Sequence, residues 1–89
     1  MKTLYDLTNH AEARIQQRGI KHQMVNLVFE FGECQPCKGG VYSYFLTRRS
    51  IRKARLSVSK KELLMLEKQR GLYLVADDGG VVITAAWRH

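Results

Sequence analysis

Proline is almost missing from this chain: Pro36 stands alone among 89 residues, and the seven glycines are scattered. No stretch is Ser/Gly-rich or repetitive, which argues against a linker, a disordered tail or an internal repeat, so residues 1–89 are expected to fold as a single domain. Runs of membrane-spanning length are also missing. The segment from Met1 to Asp6 lacks an apolar stretch followed by a small-residue cleavage site, so the expectation is a cytoplasmic protein with no membrane partner. Cysteine is limited to Cys34 and Cys37. Without a secretory signal these are expected to remain thiols, and stability must then come from a core. Hydrophobic residues make up 45% of the sequence, enough to build one.

Acid is absent between Glu33 and Glu62, although Lys38, Arg48, Arg49, Arg52, Lys53, Arg55, Lys60 and Lys61 all fall there. The whole chain carries 15 Lys and Arg against 8 Asp and Glu, a formal net charge of +7. Self-repulsion in such a run costs stability, so a polyanion explains it better than chance does. RNA or single-stranded nucleic acid is the expected partner, with Arg48, Arg49, Arg52, Lys53, Arg55, Lys60 and Lys61 on its backbone. A solvated basic face that only maintains solubility is the plainer alternative.

The residues that do occur punctuate the chain clearly. Asn9, with Glu12 three residues on, reads as the N-cap of a first helix that runs to Arg18, where Gly19-Ile20 closes it. Met24, Leu27, Val28 and Phe31 repeat at helical spacing and predict a second helix from Lys21 to Phe31. Val41 to Leu46 is rich in β-branched and aromatic residues and reads as a strand, paired with one around Glu33 to Lys38. From Thr47 to Val58 two patterns compete. Ile51, Ala54 and Val58 fit a helix, Arg55 to Val58 alternates like a strand, and helix is the preferred reading. Ser59 and Glu62 form a capping box for a helix ending near Arg70. Leu72 to Ala76 and Val81 to Trp87 flank Asp77-Asp78-Gly79-Gly80, a hairpin signal. The class is therefore α+β, an N-terminal helical hairpin packed on a small antiparallel sheet.

His10, Arg14 and Arg18 recur at i, i+4 and i+8, a stripe about 80° wide beside the apolar Ala11 and Ile15. A proton carrier of near-neutral type combined with two fixed cations is what metal-independent RNA cleavage requires: a base for the ribose 2′-OH, an acid for the leaving oxygen, and guanidinium groups for the charge developing on phosphorus oxygens. Boundary packing of the histidine with snorkelling arginines is the competing account. Thr84 and Arg88 share one face of the last strand, with Ile83, Ala85 and Trp87 on the other, and the first face is expected to meet the same cleft.

Cys34-Gln35-Pro36-Cys37 has the spacing of a dithiol redox site but follows a helix instead of entering one, and three histidines are a poor supply of further zinc ligands. No metal or cofactor is expected. Asp77 and Asp78 are explained by the turn. Tyr42 and Tyr44 share a face, which suits either core packing or base stacking.

With His10-Ala11, Arg14, Arg18-Gly19-Ile20, Phe31-Gly32, Leu72-Tyr73-Leu74-Val75 and Asp78-Gly79 before Val82-Ile83-Thr84, the chain resembles the bacterial domain-of-unknown-function 4258 family over most of its length, least from Thr47 to Arg70. The resemblance implies a RelE/barnase-like helix–sheet domain related to RelE-type ribonuclease toxins, with His10, Arg14, Arg18, Thr84 and Arg88 as the matched catalytic positions. The basic surface also suits a third expectation, an interaction protein that binds a small acidic antitoxin-like partner. A toxin-type endoribonuclease is the leading expectation, and a non-catalytic nucleic-acid-binding or regulatory module is the alternative.

Overall fold

The computed structural model describes residues 6–88. The chain order is β1 (Asp6–Leu7), α1 (Asn9–Gln17), α2 (His22–Phe31), β2 (Glu33–Cys37), β3 (Val41–Phe45), α3 (Arg48–Ala54), α4 (Lys60–Lys68), β4 (Leu72–Asp77) and β5 (Val81–Trp87). The class is α+β. Four antiparallel strands form the sheet in the order β5-β4-β3-β2, and β1 adds a short parallel pairing to the outer side of β5.

Side-chain caps open α1, α3 and α4. Thr8, not Asn9, caps α1: its Oγ1 accepts from the Ala11 N–H at 3.0 Å, which places Glu12 one position too late for a capping box. Thr8 is fixed there because its own N–H donates to Val82 O of β5 at 3.1 Å, a long-range bond that no local pattern encodes. At the other end of α1, Gly19 takes a φ of +63°, while Gly19 N–H donates to Gln16 O and Ile20 N–H to Ile15 O. This is the expected Schellman ending. The disputed segment after Thr47 is helical in α3. There Thr47 and Ser50 satisfy each other's backbone N–H groups at 3.1 Å.

Alternation on β4 sends Leu72, Leu74 and Ala76 into a core shared with Ala11 and Ile15 of α1, Met24, Val25, Leu27 and Val28 of α2, Ile51 and Ala54 of α3, and Leu66 of α4. α1 packs on β5, and α2 lies against β3 and β4. Opposed residues of a ladder share a face, so Phe45, Tyr73, Val75, Ser43 and Thr84 point away from that core and stay half-buried.

One facing expectation fails. Thr84 opposes Val75 but Val82 opposes Ala76, so Ile83 is an extra residue in a β-bulge. The bulge shifts the alternation, and Val82 joins Ala85 in the core while Ile83 is only half-buried.

Pro36 lies on β2, which pairs only with β3, and an edge is where a residue without an N–H is tolerated in a sheet. Gly32, between α2 and β2, is required by close approach. A Cβ there would collide with Val28 O and lie 2.9 Å from Phe45 O.

Candidate nucleic-acid interface

α3 is the most strongly charged element. At about 100° per residue, Ser50, Ile51 and Ala54 fall within one arc, and all three are buried. The remaining arc carries only cations, in two rows. Arg48 and Arg52, followed at i+7 by the C-cap Arg55, line the flank beside Ile51, while Arg49 and Lys53 recur at i and i+4 on the flank beside Ser50. All five side chains are exposed. No ion pair or hydrogen bond to another described residue engages any of them, so their charge is turned outward.

Each row borders a cleft. Arg49 and Lys53 face Phe31, Glu33, Cys34 and Phe45 across a space of about 490 Å³ at the β2 edge. Arg48, Arg52 and Arg55 face Glu67 and Arg70 of the α4 end across a second space of about 490 Å³, floored by Ile51. Nothing in the sequence singles out Arg70 or Glu67, because only the docking of α3 beside α4 brings them to the arginine row. Lys60 and Lys61 stand exposed in the first turn of α4, where Ser59 and Glu62 form the expected capping box. The bond from the Ser59 backbone N–H holds the Glu62 carboxyl below its ordinary range, helped by Gln23.

The helix-one stripe lies elsewhere. Arg18 Nη1 donates to Ala85 O of β5 at 2.8 Å, Arg14 is half-buried and His10 is exposed. Because α1 starts beside Val82 and ends beside Ala85, the stripe follows the outer edge of β5. Thr84 points to the sheet face opposite the core. Arg88 sits on that same face, at the far end of β5, with its guanidinium carbon 5.0 Å from the centre of the Phe45 ring. The fold thus brings Arg18 to β5 but turns Arg88 toward β3, away from α1. His10 and Arg88 flank opposite ends of the strand. His89 lies outside the described residues.

Cys34 opposes Tyr44 and Cys37 opposes Val41. Three residues apart on a strand, the thiols point to opposite faces, with their Cα atoms roughly 10 Å apart. A disulfide needs less than about 7 Å. Both are exposed free thiols. Burial raises the Tyr44 phenol above its usual pKa, and its hydrogen bond with Cys34 adds to the rise. Tyr44 also stacks on Phe29 at 4.5 Å, so this ring is part of the core packing. Asp77 Oδ1 accepts from the Gly79 and Val81 N–H groups at 2.9 and 3.0 Å, as expected of a turn. Among the described residues no group of three His, Cys, Asp or Glu side chains is placed to share a metal ion, and no helix is long and apolar enough to cross a membrane.

Neither a known family, nor a curated protein, nor a solved structure matches the chain.

Proposed function

We propose that this domain binds RNA or single-stranded nucleic acid along α3, with Arg48, Arg49, Arg52, Lys53, Arg55, Lys60 and Lys61 on the phosphate backbone. The observation that carries the reading is the cationic outer arc of α3, whose five side chains have no internal partner among the described residues. Arg48 and Arg49 occupy the first helical turn, where cations oppose the helix dipole. An arrangement that costs helix stability and is not neutralised internally fits an external polyanion. A cytoplasmic location agrees with such a ligand.

The test is anisotropy titration of a labelled oligoribonucleotide over a range of salt. Affinity should fall steeply with salt, and replacing Arg48, Arg49, Arg52 and Lys53 by Gln should flatten the log–log slope by about 0.7 for each phosphate no longer neutralised. An unchanged affinity and slope in that variant removes the reading.

The second reading is a RelE-like, metal-independent endoribonuclease of toxin type, with a small acidic antitoxin-like protein as partner. It draws on the resemblance to the domain-of-unknown-function 4258 family, which implies a RelE/barnase-like domain, and on the placement of exposed His10 and half-buried Arg14 on α1 alongside β5. In this reading His10 transfers the proton and Arg14 and Arg18 stabilise phosphate charge. Thr84 and Arg88 require the substrate to wrap around the β5 edge to the opposite face. His10→Ala should lower chelator-resistant cleavage by about 10²–10⁴ while binding survives. Wild-type protein that cleaves neither free nor translating RNA leaves the binding module alone. Competition between RNA and an acidic protein for the α3 surface tests the interaction reading.

A further inference from the structure

The two clefts beside α3 differ in charge. The one at the β2 edge sets two cations, Arg49 and Lys53, against Glu33. The cleft between α3 and α4 converges Arg48, Arg52, Arg55 and Arg70 on one space, with Glu67 as the only acid among the described residues that line it. A single-stranded backbone presents one negative charge per phosphodiester, spread along its length, and a row of cations on a convex helix suits it. Four guanidinium groups, from α3 and its C-cap and from the turn after α4, around one concave space suit a charge concentrated in one place. A terminal phosphomonoester carries about −1.5 to −2 near neutral pH and three acceptor oxygens. Planar guanidinium forks engage such oxygens in bidentate pairs.

We propose that the α3–α4 cleft is a site for the 5′-phosphate of a ribonucleotide. Arg48, Arg52, Arg55 and Arg70 hold the phosphomonoester, Ile51 supports the sugar, and the Glu67 carboxylate accepts from a ribose hydroxyl. The Glu67 carboxylate is an acceptor, and the hydroxyls of a sugar that carries the phosphate offer it donors. The inference rests on the RNA-binding reading for its preferred source, the 5′ end of an RNA strand. A free nucleotide offers the same chemistry.

The experiment measures the affinity of the full chain for one single-stranded oligoribonucleotide carrying either a 5′-phosphate or a 5′-hydroxyl, and for a free nucleoside 5′-monophosphate. The 5′-phosphorylated strand should bind about tenfold more tightly than its 5′-hydroxyl twin, as expected for an added charge-assisted contact. Arg70→Gln should bring that ratio toward one. Arg49→Gln, on the other flank of α3, should weaken both strands and leave the ratio intact. A ratio is insensitive to general loss of affinity, and circular dichroism of each variant reports folding separately. Equal affinity for the two strands overturns the cleft assignment and leaves RNA binding standing. Binding of the monophosphate that Arg70→Gln weakens, with no affinity for either strand, supports the cleft with free nucleotide as its source and ends the RNA reading. Failure of all three ligands to bind overturns both.

Discussion

Arg18 reaches across 67 positions of sequence to donate a 2.8 Å hydrogen bond from Nη1 to the carbonyl oxygen of Ala85. Along β5, Arg88 N–H donates to Gly71 O on the β4 side, so alternation turns the Ala85 carbonyl outward. β1 pairs with β5 only as far as Val82. The Arg18 guanidinium therefore satisfies an acceptor on an edge that no strand covers among the described residues, and α1 both shields and blunts that edge.

Arg18→Ala is accordingly expected to destabilise the fold by about 1.5–2 kcal/mol, at the lower end of the range for hydrogen bonds involving a charged group. Arg14→Ala, which breaks no side-chain bond to a described residue, should stay within about 0.5 kcal/mol. Urea denaturation midpoints compare the two. Equal effects would mean that the bond to Ala85 is not what holds α1 to the sheet edge. Any loss of RNA cleavage in Arg18→Ala must be separated from this loss of stability.

Arg48→Gln and Arg49→Gln should each stabilise the protein by about 0.3–1 kcal/mol, because a cation is removed from the positive end of α3. Both should weaken RNA binding. Thermal melting at low salt measures the first effect and anisotropy the second, and a fall in stability for both variants contradicts the view that α3 trades stability for charge.

Leu74→Ala removes a fully buried side chain from the central strand β4, beneath α2. The expected loss is about 2–5 kcal/mol, read from the denaturation midpoint. A change below about 1 kcal/mol would show that the core does not close over this position.

Tyr44 supplies an alkaline limit. Burial first, then Cys34, raises its folded pKa above the ordinary value of 10.0. The folded state thus keeps the phenolic proton that the unfolded state releases. The resulting contribution is fully present below pH 10, and is lost as pH rises through the folded value. Stability profiles of wild type and Tyr44→Phe, measured across the alkaline range, should differ by a steeper decline in wild type. Parallel profiles would remove this assignment.

Oxidation of the native chain with diamide should produce no Cys34–Cys37 disulfide, since the extended β2 backbone holds the two Cα atoms too far apart. Mass spectrometry of the unreduced, digested protein detects such a bridge. The Cys34→Ser, Cys37→Ser double variant should retain RNA affinity, and a folded variant that no longer binds would give the thiols a role the strand geometry does not suggest.

Much of this architecture was legible in the chain because its signals are short-range. Ser59 with Glu62, Gly19 with Ile20, and Asp77 to Gly80 each act over a few residues, and each makes the local hydrogen bonds its residue types predict. The cationic arc of α3 follows from helical spacing alone once that segment is read as helix. The opposed faces of Cys34 and Cys37 follow in the same way from the strand period. Other features were hidden. Asn9 looks as good a cap as Thr8 until β5 claims the Thr8 N–H, and alternation along Val81 to Trp87 gives the wrong core face for Ile83 because the bulge exists only in the pairing with β4.

Apart from the short β1, the start of α1 and the ambiguous segment from Thr47 to Val58, the sequence by itself determined which segments are helix and strand, since propensity, caps and periodicity act between neighbours. Tertiary structure alone decided that Arg70 and Glu67 complete a cleft with the α3 arginines, that Arg18 bonds to Ala85, and that Arg88 turns to Phe45 and away from the His10 stripe. Those relationships depend on which buried faces meet, and burial is set by the whole core at once.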